Sequence, residues 1–350
     1  MIKTEKLRNK NMADIKNSPI TAPLKFAKSY MIKRRYAMEA VRKYRPDDKS
    51  EKLLSRIVWN EILYHISYEE YFILNFEKLS QKGKKEFIGE SEKNRIADRL
   101  NSKKYETVFD NKDETYEHFK EFYGRDVLKI SGENDFEAFS EFAAKHPKFV
   151  AKPIMAACGF GVAIFDISDF TNVKEMFDSL CKNYKNAFLA EELIVQSEFT
   201  KNFHPISVNT VRINTVRTDK EIHIVHPFLR IGKGDSKIDN ISSGGIMGLI
   251  DVETGIVTTT YDESGTKHVL HPDTGVQVLG TKIPRWDEAV EMVKKMAMVL
   301  PENRYTGWDV ALTEKGWIMV EANRRAQMVY QYPDGTGCRK EFEQYFKEIK

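Results

Sequence analysis

Between residues 207 and 232 the chain alternates apolar and polar side chains twice, as SVNTVRINTVRT and then EIHIVHPFLRIG, with Thr218, Asp219 and Lys220 between the two runs. A period of two places successive side chains on opposite faces of a strand and does not build the single apolar stripe of a helix, so this stretch reads as a β-hairpin. Further short strands are expected near 248–251 and 256–260. A helix over 286–300 then precedes two strands, 305–312 and 317–322, joined by Glu314, Lys315 and Gly316. Upstream, the pattern is mixed. Helices are expected over 112–123, 135–146 and 173–180, and strands over 126–130, 149–153, 162–166 and 187–193, with a turn at 158–161. Before that, from 23 to about 100, apolar residues recur at helical spacing, as in Leu53, Ile57, Trp59, Ile62, Leu63 and Ile66. Ser67 with Glu70 three residues on reads as a capped helix start leading into Tyr71, Phe72 and Phe76.

The 350 residues are 41% hydrophobic and 31% charged, which excludes a wholly disordered or collagen-like chain. No run approaches the roughly 18 apolar residues of a spanning helix, and the first twenty residues lack the apolar core of a signal peptide, so a cytoplasmic protein is expected. Cys158, Cys181 and Cys338 are too scattered for a disulfide framework or a zinc site. Residues 1–104 carry 25 Lys and Arg against 14 Asp and Glu, a net +11, leaving −8 for the remaining 246 residues out of a total of +3. A basic helical front could meet nucleic acid, an anionic lipid surface or an anionic polymer, or could simply solvate its helices.

Three groups of residues could carry chemistry. Lys152, at the end of a buried strand, is followed by Cys158, Gly159, Phe160 and Gly161, which sets an ammonium beside a loop whose N–H groups can approach phosphate. Neither a P-loop nor a Rossmann fingerprint fits, and alone this is a weak signal. Asp309, Glu321 and Asn323 lie on two apolar strands; if these pair, their oxygens suit Mg²⁺, and the alternative is a hairpin with solvent-facing acids. Arg212 and Arg230 on strands could clamp phosphate or carboxylate, or pair with neighbouring acids. The run from Asp239 and Asn240 to Gly244 and Gly245 suits a loop that closes on a ligand, or a plain surface loop. The histidines form no zinc motif, and no serine elbow is present.

In order, the segments NKDETYEHFKEF, FVAKPIMAACGFGV, AEELIVQSEF, SVNTVRINTV, PFLRIGKGDSKIDN, SSGGI and GWDVALTEKGWIMVEANRR resemble an ATP-grasp enzyme, in particular the sugar-transfer-associated ATP-grasp proteins of polysaccharide gene clusters. The resemblance covers about residues 60–338. It implies an α+β chain with the ATP-grasp fold, two α/β lobes gripping ATP behind a helical N-terminal region. The divisions expected are an arm over 1–20, a basic helical region over 21–104, a lobe with the phosphate lid over 105–192, a lobe with the metal and substrate site over 193–338, and a final helix end over 339–350. The resemblance makes Lys112 and Lys152 the phosphate lysines and the 158–162 turn the lid. It makes Glu191, Glu192 and Leu193 the adenine hinge and Glu198 a ribose-binding carboxylate. Asp309, Glu321 and Asn323 fall on the magnesium ligands, and Lys152, Arg212 and Arg230 on catalytic positions. Ser207, Asn209, Asp239, Asn240, Gly244 and Gly245 fall on the substrate side. Phe160 departs from the polar residue often found in such a lid.

The implied activity is an ATP- and Mg²⁺-dependent carboxylate–amine ligase working through an acyl phosphate. It would join an amino acid or amine to a sugar acid of capsule or O-antigen, with no nucleic acid partner. The alternatives are a small-molecule kinase, or a membrane- or polymer-binding adaptor beside an inactive nucleotide fold.

Overall fold

The computed structural model describes residues 22–155, 161–328, 331 and 336–349; the arm expected over 1–20 lies outside them. The chain divides into two compact units, one ending at Leu79 and the next starting at Ser80. The basic stretch up to 104 is therefore shared between the units. The reason is packing: Ile96, Ala97 and Leu100 join an apolar cluster with Phe342 and Tyr345 near the C-terminus.

In the first unit, helix α1 (Ala22–Tyr44) packs against α2 (Glu51–Tyr64). Their buried faces are Ala37, Ala40 and Val41 on one side and Leu53, Leu54, Ile57 and Val58 on the other. Ser50 caps α2 by accepting from the Leu53 N–H. The Ser67–Glu70 box is present with both bonds: the Glu70 N–H donates to Ser67 Oγ at 3.1 Å, and the Ser67 N–H donates to the Glu70 carboxylate. The helix it starts is a single turn, Glu70–Ile73.

The second unit runs α3 (Glu90–Leu100), α4 (Lys112–Phe119), β1 (Val127–Ile130), α5 (Phe136–Lys145), β2 (Lys148–Pro153), β3 (Ala163–Asp166), α6 (Val173–Tyr184) and β4 (Phe188–Glu192). It continues through β5 (Thr210–Arg217), β6 (Ile222–Ile231), β7 (Ile246–Ile250), β8 (Val257–Asp262), α7 (Trp286–Val299), β9 (Tyr305–Thr313), β10 (Gly316–Asn323) and α8 (Arg339–Lys347). Two antiparallel sheets result, ordered β1-β4-β2-β3 and β10-β9-β5-β6-β7-β8.

Each sheet has one apolar face, as period-two strands demand. In the smaller sheet Phe149, Ala151, Phe188, Ala190 and Ile130 pack against Phe139, Phe142, Met176, Phe177 and Leu180 of α5 and α6. The opposite face is left to Lys152, on β2, and Glu191, on β4. In the larger sheet Val211, Ile213, Leu229, Trp308, Val310 and Met319 pack against Ala289, Val293 and Met296 of α7. The reverse face carries Thr210, Arg212, Asn214, Gly307 and Asp309. Cys181 and Cys338 are buried and form no disulfide among the described residues. Among the described residues no helix is long and apolar enough to cross a membrane.

A one-residue irregularity in β10 matters most. Met319 pairs with Val310, but the next paired residue is Glu321, opposite Asp309, so Val320 is the extra residue of a bulge. Without it Val320 would oppose Asp309, and Glu321 would pair with Trp308 on the core face. Beside Asp309 on the same face, Gly307 leaves room for Arg212 to pass. A Cβ there would lie 2.7 Å from Ala326 Cβ, 2.8 Å from Asn214 Oδ1 and 3.2 Å from Arg212 Cδ. Gly307→Ala is therefore expected to cost about 1–3 kcal/mol of folding stability through overpacking, read from urea unfolding midpoints; an unchanged midpoint would show that the arginine does not need this gap.

Candidate active site

The polar face of the larger sheet is a cross-strand row. Glu321 of β10 opposes Asp309 of β9, and Asp309 opposes Arg212 of β5. Arg230 of β6 pairs with Thr210, two residues along β5 from Arg212, and so shares this face. Asp309 is buried, and both its oxygens are engaged: Arg212 Nε donates to Oδ1, while Arg212 Nη2, at 2.7 Å, and Arg230 Nη1, at 2.8 Å, donate to Oδ2. Burial pushes the Asp309 pKa up, but Arg212 and Arg230 outweigh it and hold the group down at about 2. Glu321 is exposed and makes no ion pair among the described residues. Asn323 donates its Nδ2 to Glu321 Oε1 at 3.1 Å, which leaves its own Oδ1 free to coordinate.

Beyond the row, Asp239 accepts from the Thr210 N–H at 3.0 Å, from Thr210 Oγ1 and from Arg230 Nη2 at 2.7 Å, and Asn240 Oδ1 also accepts from Arg230. Burial raises the Asp239 pKa against the pull of Arg230. Arg212 and Arg230 are thus tied to acids, with Arg230 spanning Asp309 and Asp239. Gly244 adopts φ +89°, and a Cβ on Gly245 would come within 2.7 Å of the Ile231 carbonyl, so this turn packs closely against β6. Ser207 and Asn209 do not reach the polar face. Both are buried in a network in which Asn209 Nδ2 donates to Gln196 Oε1 and to the Thr200 and His204 carbonyls, while Ser207 Oγ contacts His204 Nδ1 at 2.8 Å. They hold this loop together.

The smaller sheet has its own buried carboxylate. Glu191 Oε2 accepts from Lys152 Nζ at 2.8 Å and from Arg125 Nε and Nη2 at 3.0 and 2.8 Å. Burial again opposes ionisation, and Lys152 and Arg125 overcome it, setting the Glu191 pKa at about 2. Glu191, one of the three residues expected at the adenine hinge, anchors Lys152, because a charge this deep must be matched by a cation. Glu192 accepts from the Asp126 N–H at 3.0 Å, and Leu193 follows it half-buried. Glu198 begins the short helix Glu198–Lys201, exposed and paired with Lys201 at 2.8 Å.

Lys112 opens α4, where its N–H donates to the Ile154 carbonyl at 3.0 Å and so ties the helix start to the chain leaving β2. Burial lowers its pKa; Glu321 and Glu191 pull it upward, and Lys152 downward. Lys112 therefore lies within electrostatic reach of both sheets' acids and of the second lysine. Cys158, Gly159 and Phe160 lie outside the described residues. Gly161 adopts φ +73°, and its carbonyl accepts from Tyr184 Oη of α6 at 2.7 Å, which anchors the far end of the turn.

Arg125 carries no motif, and the sequence reading missed it. Beyond Glu191 it donates from Nη1 to the Met319 carbonyl of β10 at 2.6 Å, linking the two sheets beside the bulge. Asn214 was also missed. It is fully buried on the polar face, and its amide nitrogen and oxygen have no hydrogen-bond partner among the described residues.

The family described as sugar-transfer associated ATP-grasp matches residues 91–347. This chain belongs to that family. No curated protein matches the ATP-grasp chain. Among solved structures it is similar to the ATP-grasp ligase PsnB complexed with minimal precursor, Mg and ADP, at 13% identity over 71% of this chain and 61% of that one, with a TM-score of 0.43. It is similar to N5-carboxyaminoimidazole synthetase from Staphylococcus aureus complexed with ADP at 10% identity, over 69% and 51%, with a TM-score of 0.41. It is similar to D-alanine–D-alanine ligase from Helicobacter pylori at 13% identity, over 69% and 62%, with a TM-score of 0.43. The chain spans about three fifths of the length of PsnB. These likenesses are distant, and membership of the family stands on the match over 91–347.

The depressed Glu191 carboxyl sets a pH dependence. Because its folded pKa lies below the ordinary value of 4.5, its contribution to stability is complete above about pH 4.5 and is lost as pH falls towards about 2. Urea unfolding across that range should show a shallower pH slope for Glu191→Gln than for the wild type, even though the variant is less stable at pH 7; equal slopes would mean that Glu191 is not held ionised.

Proposed function

We propose that this ATP-grasp protein is an ATP-dependent ligase that activates a carboxylate as an acyl phosphate and transfers the acyl group to an amine. The observation that carries this reading is the family match over residues 91–347, together with a strand end that sets Lys152 on Glu191 at 2.8 Å and whose Ile154 carbonyl holds the Lys112 N–H at 3.0 Å. Lys112 and Lys152 would bind the phosphate chain, and Glu191 with Arg125 would hold the Lys152 ammonium in place. Glu321 and Asn323 would hold Mg²⁺ through oxygen donors, and Asp309 would join them only by sharing its carboxylate with the two arginines. When bound, Mg²⁺ neutralises phosphate charge.

Arg212 and Arg230 sit on rigid strands with their guanidinium groups fixed by Asp309 and Asp239. They are suited to orient the incoming carboxylate and the transferred phosphoryl group. A carboxylate oxygen would bond to the γ-phosphorus as the bond to the β-phosphate oxygen breaks, releasing ADP. The amine nitrogen would then bond to the acyl carbon, phosphate would leave, and the amine proton would pass to solvent. The family's association with sugar transfer supports a sugar-derived carboxylate, with an amino acid or amine as the second substrate, in polysaccharide assembly.

Thermal unfolding with and without Mg-ATP tests the nucleotide site without a known acceptor. At nucleotide about one hundredfold above Kd the wild type should gain about 2.7 kcal/mol, and Glu321→Ala should lose the magnesium-dependent part of that gain. An equal response in both would remove Glu321 from the metal site. Hydroxylamine added during turnover of screened acids should trap a hydroxamate; a stable phosphorylated acceptor would instead identify a kinase.

A further inference from the structure

The first unit presents apolar side chains that its own core does not use. Helices α1 and α2 bury Ala37, Ala40 and Val41, and Leu53, Leu54, Ile57 and Val58. Even so, Phe26 is 52% exposed, Met31 71%, Trp59 44% and Leu63 61%, and Ile32 is also exposed. These are not scattered singly. On α1, Lys28, Met31, Ile32 and Arg35 recur at i, i+3, i+4 and i+7, one solvent-facing stripe of two cations and two apolar residues. On α2, Lys52, Arg56, Trp59 and Leu63 recur at i, i+4, i+7 and i+11, a second stripe of the same make-up. Phe26 joins the two helices, its ring 6.3 Å from Trp59 and stacked 6.4 Å from Tyr30.

Helix α1 holds seven Lys and Arg against one acid, Glu39, which pairs with Arg35 at 3.8 Å; Lys33 and Arg34 pair with Glu61 and Glu51 of α2, and Lys43 with Glu69 at 3.7 Å. Arg56 lies 4.0 Å from Glu77, and Lys28 and Lys52 make no ion pair among the described residues.

We propose that this helical pair docks on an anionic lipid bilayer surface, with Met31, Ile32, Trp59, Leu63 and Phe26 entering the headgroup boundary and the lysines and arginines meeting lipid phosphates. Three properties select this occupant. Tryptophan and phenylalanine gain most at a boundary that is apolar on one side and wet on the other. Lysine and arginine can lay their methylene stems along such a surface while their charged heads reach phosphate. A second copy of the chain would set cationic stripe against cationic stripe, and a nucleic acid would satisfy the cations and the rings while leaving the aliphatic Met31, Ile32 and Leu63 without a partner. None of this rests on the ligase reading.

The chain supplies its own reporter. Of four tryptophans, Trp286, Trp308 and Trp317 are buried and Trp59 is the exposed one. The full-length protein is titrated with vesicles of phosphatidylcholine alone or with 30 mol% phosphatidylglycerol (roughly the anionic content that draws a polybasic surface), following tryptophan emission and co-sedimentation. Anionic vesicles should blue-shift the emission and sediment the protein, and raising the salt should weaken both. A Met31→Ser/Leu63→Ser double variant should bind about tenfold or more weakly, as expected for losing two partly buried side chains.

The Mg-ATP thermal response serves as the control, and the double variant should keep it. Absence of binding, equal binding to neutral vesicles, or undiminished binding by the double variant would overturn the proposal. So would retention by a soluble polyanion or self-association that the double variant abolishes, if vesicles are ignored.

Discussion

Asp309 is the side chain on which the larger sheet's polar face depends. A carboxylate on a buried central strand is costly unless matched, and here the match comes from Arg212 on the adjacent strand and Arg230 one strand further on. Those bonds fix two guanidinium groups on rigid β-structure, and Arg230 in turn secures Asp239 and Asn240, so the loop after β6 is tied to the same point. The Val320 bulge brings Glu321 opposite Asp309, and Gly307 keeps the path of Arg212 open. Removing any one of these elements would disturb the others, because they share one carboxylate.

The smaller sheet solves the same problem with Glu191. Lys152 and Arg125 converge on one oxygen, and Arg125 continues to the Met319 carbonyl next to the bulge. A charge needed to satisfy one sheet is thereby also a link to the other. The outcome is a set of cations whose orientation is fixed by buried carboxylates of the fold itself.

Much of this could be read along the chain. The paired strands 305–312 and 317–322, the β5–β6 hairpin and the capping box at Ser67 rest on local periodicity and turn chemistry, and the structure contains each within a residue or two. The roles of individual acids were less legible. For Glu191 and Asp309 the sequence shows the acid and not the cations that fold onto it from 39 to 97 residues away. Ser207 and Asn209 are members of a buried network with Gln196 and His204 that no periodicity or motif marks.

What the sequence by itself determined was the alternation of secondary structure and the family, because these depend on local spacing and on ordered motifs. What only the tertiary structure decided was which charges meet. Ion pairing depends on the three-dimensional distance between groups and on how far both are withdrawn from water. Neither the contact of Arg125 with Glu191 and Met319 nor the engagement of both Asp309 oxygens by arginine follows from the order of residues, because each requires the sheets and the bulge already in place.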